Sequence, residues 1–120
     1  MTTTTRNAND HFGSSNGTER IYSCRPFPIT YTDGVRDLVE NCQAYWLIDL
    51  IISHQINKKV NCQPFQVWKL ERFKDDAFNM IATDGNDNVI ARQFIPFSDF
   101  PFDTATIWLT NDTLLLPCEY

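Results

Sequence analysis

Long apolar runs are what this chain most plainly lacks. Its longest stretch free of charge and strong polarity is Ala44 to Ile48, far below the roughly 20 residues needed to cross a bilayer. No membrane partner is expected. No basic start followed by an apolar core marks a secretory leader, so a reducing, cytoplasmic setting is expected. Glycine is scarce, with Gly13, Gly17, Gly34 and Gly85 the full set, so a glycine-rich phosphate cradle is not expected. His11 and His54 are the only histidines. The signatures H-E-x-x-H, G-x-G-x-x-G and the Walker loop are all missing, which removes several strong arguments for catalysis. The four cysteines, Cys24, Cys42, Cys62 and Cys118, contain no C-x-x-C pair that would fix two zinc ligands on one turn. They read as free thiols, mostly buried, and neither metal nor cofactor is expected. Basic charge is also in short supply: 10 Lys and Arg against 15 Asp and Glu give −5, which opposes general attraction to phosphate backbones.

Aromatic residues are what the chain has in quantity. Nine Phe, three Trp and four Tyr in 120 residues supply a large apolar area for one small domain. The first twenty residues differ from the rest. Thr, Asn, Ser and Gly dominate there, with Met1, Ala8 and Phe12 the only apolar residues. Such a stretch buries too little surface to offset its ordering entropy. Residues 1–20 therefore read as a flexible tail and residues 21–120 as a single domain.

Ile21 to Thr32 reads as an extended lead-in, stiffened by Pro26 and Pro28. A helix is expected to start at Thr32 or Asp33, where either side chain can cap free amides. Val35, Leu38, Val39, Cys42 and Trp46 follow helical spacing, and the pattern runs on to His54. From Phe65 the period changes to two. Phe65–Phe73, Ala77–Thr83, Asn88–Ile95, Thr104–Thr110 and Thr113–Leu116 read as extended, with hairpin chemistry at Asp84-Gly85-Asn86-Asp87 and Asn111-Asp112. The expected fold class is α+β: one long helix packed on a four-stranded antiparallel meander sheet, with a flexible N-terminal tail.

Four sets of residues stand out as candidate sites. The second half of the helix, with Leu47, Ile48, Leu50, Ile51 and Ile52, is apolar on nearly every side, and such a helix is covered on more than one face. Ile48, Ile51 and Ile52 are thus candidate contacts, and a homodimer is expected. The loop Ile95 to Phe102 carries Phe97, Asp99, Phe100 and Phe102 on a proline-stiffened backbone. Its aromatics read either as docking anchors or as caps on the core. Asp49 falls between Tyr45 and Trp46 on the stripe expected to face the core. A carboxylate there needs a partner or a shifted pKa, so Tyr45, Trp46 and Asp49 form a possible pocket. Lys58, Lys59, Lys69 and Arg72 form a basic stretch inside an acidic body, a possible single-stranded nucleic-acid contact with nearby aromatics.

Five stretches together resemble a known family. They are Tyr31-Thr32-Asp33-Gly34-Val35, Ala44 to Asp49 with Ser53-His54-Gln55, Phe65 to Leu70, Ile95 to Pro101, and Leu114 to Tyr120. The family is an uncharacterised one of short bacterial proteins, frequent in cyanobacteria and on phages and plasmids. Cys118 departs from the small polar residue expected at its position. The resemblance implies no activity. It suggests a small intracellular protein that binds and modulates host machinery, for example a mobile-element inhibitor of host defence of the anti-CRISPR type. The function expected is therefore a non-catalytic protein that docks on a partner protein. The alternatives are a small enzyme or ligand-binding protein built around Asp49, Tyr45 and Trp46, and a single-stranded nucleic-acid binder using the basic stretch.

Overall fold

The computed structural model describes Ala8, residues 21–23 and residues 28–117. Seven strands form one sheet: β1 (Ile21–Ser23), β2 (Thr30–Thr32), β3 (Phe65–Lys74), β4 (Ala77–Thr83), β5 (Val89–Ile95), β6 (Thr104–Thr110) and β7 (Thr113–Leu115). Three helices, α1 (Asp33–Asn41), α2 (Tyr45–His54) and α3 (Lys58–Asn61), lie between β2 and β3 in the chain. The strand order across the sheet is β1-β2-β7-β6-β3-β4-β5.

This architecture corrects the expected one in two respects. First, the single long helix is two helices. Thr32 caps α1, its hydroxyl accepting from the Val35 amide. At the other end Gln43 turns left-handed with φ 51°. The Ala44 amide then donates to Val39 O at 2.7 Å and the Gln43 amide to Glu40 O at 3.3 Å. This paired bonding is the Schellman stop, made here with Gln in the place glycine normally takes. Buried Val39 and Ala44 close it from the inside. Helical apolar spacing continues through the stop, so the pattern conceals it.

Second, the sheet is seven-stranded and mixed. All five extended segments from Phe65 onward enter it rather than four, and the lead-in supplies two more strands, β1 pairing antiparallel with β2 and β2 pairing parallel with β7. The meander is also broken, because β6 pairs with β3 rather than with β5. Residues 96–103 therefore cross one end of the sheet from the outer side of β4 back to β3. The strand limits themselves agree closely with the spacing: β4 and β6 coincide with the expected Ala77–Thr83 and Thr104–Thr110. The β6–β7 turn places both Asn111 and Asp112 at positive φ, 52° and 58°, as a two-residue hairpin requires. In the β4–β5 turn Gly85 sits at φ 90°, where an added Cβ would stand 3.1 Å from Phe65 Cδ1. Asp84 closes that turn by accepting from the Asn88 side chain and the Asn86 amide. These bonds hold its carboxyl below the ordinary range.

One face of the sheet carries the core. Trp68 and Leu70 of β3, Phe78, Met80 and Ala82 of β4, Ala105, Ile107 and Leu109 of β6, and Leu114 of β7 are all buried. The helices cover this face. Leu47, Ile48, Leu50, Ile51 and Ile52 of α2 belong to the same cluster, as do Val60 of α3 and Ala8. The opposite face, with Val67, Lys69, Ile81 and Thr106, is half-buried or exposed.

Candidate functional site

A groove of about 630 Å³ runs between α2 and the β5 edge of the sheet. Trp46, Asp49 and Leu50 form one wall, and Gln93 to Asp99 form the other. It brings together parts of two sets singled out from sequence, Trp46 and Asp49 of the possible pocket and Phe97 and Asp99 of the aromatic loop. Phe97 is its most exposed aromatic, at 72%. The Asp49 and Asp99 carboxylates are both exposed, and neither has an ion-pair or hydrogen-bond partner among the described residues.

The loop wall is held from below. Arg72 Nε donates to Asp103 Oδ1 at 2.8 Å, and Nη2 donates to Phe100 O and Phe102 O. Its guanidinium also reaches Asp75 O and stacks 4.6 Å from the Phe78 ring. Phe100, at 2% exposure, packs edge-on against Phe78 with centroids 6.0 Å apart. The Ser98 amide donates to Asp76 O and its hydroxyl accepts from the Phe100 amide. Phe97 is thus presented by a loop whose neighbours are fixed. The two readings of the loop divide by residue: Phe100 closes the core, with Phe102 half-buried beside it, while Phe97 and Asp99 face outward.

The other candidates are distributed as follows. Ile48, Ile51 and Ile52 are buried inside the fold, so the all-round apolarity of α2 is consumed by the chain's own packing. Asp49 is exposed instead of facing the core. The break at Gln43 resets the helical phase, so an angle counted from Val35 does not carry across it. Tyr45 is exposed and lies outside the groove lining. The basic stretch does not gather into one patch. Lys58 and Lys59 stand on α3 in the helical layer, and Lys69 pairs with Glu71 at 3.2 Å on the open side of the sheet. Arg72 serves the loop. Cys42 is buried and Cys62 exposed, both free, and Cys24 and Cys118 lie outside the described residues. No group of three His, Cys, Asp or Glu is arranged to hold a metal among the described residues. No described helix is long and apolar enough to cross a membrane.

Two features escaped the sequence reading. Gln66 is buried and exchanges paired amide bonds with Gln55, both at 2.9 Å. It also accepts from Trp68 Nε1 and donates to Val60 O. It ties β3 to the end of α2 and to α3. The signal was present, since Gln66 and Arg72 stand in period-two phase with the inward Trp68 and Leu70. Beside this network lies a second cavity of about 440 Å³, with Ile29, Ile52, Ile56, Leu109 and Asp112 among its lining. The second missed feature is the position of β5 at the sheet edge, which local pattern does not encode.

The fold and groove define a mixed-sheet α+β protein with an open, aromatic-walled edge groove. Residues 6–120 match the model of a family of unknown function, DUF6876. The chain belongs to that family. Comparison with the curated proteins and with the solved structures gave no match.

Proposed function

We propose that the protein is a non-catalytic docking protein that occupies a surface of a protein partner through the α2–β5 groove. The observation that carries this reading is Phe97, exposed on a loop whose flanking residues are already fixed. An aromatic held in this way loses little freedom on binding, and aromatics dominate contact energies at interfaces. Trp46 and Leu50 extend the apolar strip, and the unpaired Asp49 and Asp99 give it a sign that selects a basic partner surface. The open form of the groove supports contact with a macromolecule over enclosure of a small substrate. Occupying such a surface blocks other binders, so inhibition of a host complex falls within this reading.

The test is a photo-crosslinking amino acid placed at Phe97, and separately at Ile56, which is exposed at 79% and lines the other cavity. Discrete adducts from position 97 and none from position 56, lost in Asp49→Lys/Asp99→Lys, are the expected outcome. Adducts equal at both positions, or unchanged by the lysines, would overturn the reading. The Phe97→Asp variant should retain the wild-type melting temperature and lose the partner.

A further inference from the structure

One wall of the groove is a free sheet edge. Among the described residues β5 bonds to β4 alone, so the other side of its backbone offers N–H and C=O groups that no described strand pairs. The opposite edge, β1, is only three residues long, whereas β5 has seven. Edges are ordinarily blunted by bulges, charge or proline. Here the register shift lies at the Val89 end, and Ala91 to Ile95 pair regularly with Ala82 to Phe78. Along this regular part Gln93 and Ile95 share the helix-covered side with Met80 and Phe78, while Arg92 and Phe94 share the open side with Ile81 and Asn79. A strand laid beside β5 would send every second side chain to the α2 side. There it meets Trp46, Leu50 and the two unpaired carboxylates.

We infer that the β5 edge accepts an extended peptide segment of the partner as an eighth strand, with a Lys or Arg facing Asp49 and Asp99 and apolar residues two positions either side. The inference rests on the docking reading and specifies its mode. Main-chain bonds supply affinity in strand addition, and alternate side chains supply specificity. A second copy of this chain fits less well. Antiparallel pairing of two β5 edges keeps Arg92 on the open side of the sheet, away from both carboxylates. A register centred on Arg92 also sets like charges opposite each other, which is destabilising.

The probe is a blocked hexapeptide, Leu-Thr-Arg-Thr-Leu-Thr, compared with its Leu-Thr-Glu-Thr-Leu-Thr counterpart by titration into isotope-labelled full-length protein. The Arg peptide should shift the β5 amides and the Trp46 indole, and bind at least tenfold more tightly than the Glu peptide. Asp49→Asn/Asp99→Asn should remove most of that difference. N-methylation of one alternate set of peptide amides should abolish binding, and of the other set should leave it, because only alternate amides of an added strand face the edge. Tolerance of both sets, with the groove still perturbed, overturns strand addition and leaves the docking reading intact. No perturbation by any peptide overturns the inference, and the Phe97 crosslink then decides the docking reading separately. Shifts confined to β5 that appear on concentrating the protein alone assign the edge to a second copy and overturn it.

Discussion

Gln66 shows how much one buried amide can organise. At 2% exposure its carboxamide links a strand, two helices and an indole. Gln66→Leu leaves Trp68 Nε1 and Gln55 Oε1 without their partner, whereas Val60 O keeps the Gln63 amide and Gln55 Nε2 keeps Ile51 O, and buried polar groups left unpaired cost about 1–3 kcal/mol each. A net loss of about 3 kcal/mol is expected in urea unfolding. Adding Trp68→Phe should then cost less than it does in the wild-type background, since the indole N–H has already lost its acceptor. Cys42 supplies a second residue-level outcome. Burial pushes its thiol up from 9.0 to about 11, so the folded state keeps a proton that the unfolded state releases above pH 9. That contribution is complete below pH 9 and is lost as pH rises through about 11. The decline of stability between those values should therefore be shallower in Cys42→Ala than in wild type. At neutral pH iodoacetamide should label exposed Cys62 in the native protein and Cys42 only on unfolding.

Among the elements, the α1 stop is the most instructive. Gln43 holds a left-handed conformation that glycine adopts without steric cost. Gln43→Gly should therefore raise stability by about 0.5–1 kcal/mol, read as an increase in melting temperature, and a β-branched residue there should lower it. The same position explains why the helix break was illegible. Val39, Cys42 and Trp46 keep helical spacing across it, and no glycine marks it. The expected inward direction of Asp49 fails for the same reason, because an angle counted along an unbroken helix does not hold past Gln43. The strands are more legible in the sequence than the helices. Phe78, Met80 and Ala82 alternate inward as spaced, and so do Ala105, Ile107 and Leu109. Period two is a local property that burial on one face enforces.

For the whole molecule, β3 is the structural centre: it bonds along nearly its full length to β4 on one side and β6 on the other. Amide exchange should be slowest in the facing segments of β3 and β6 and fastest in β1 and the free side of β5. Protection in β5 equal to that in β3 would contradict the edge assignment. The composition and local spacing of the chain were enough to specify a mixture of helix and strand, the limits of the long strands and the hairpin turns at Asp84 and Asn111, while they left open whether the aromatic loop caps the core or faces outward. They did not specify the parallel pairing of Thr30–Tyr31 with Thr113–Leu114, the return of β6 to the side of β3, or the groove that results. Those depend on residues from 33 to 83 positions apart choosing one another, and backbone hydrogen bonds are the same for every partner strand. The choice is made by how side chains fill the shared core and by which connections can cross the sheet, and neither is written in any short window of residues.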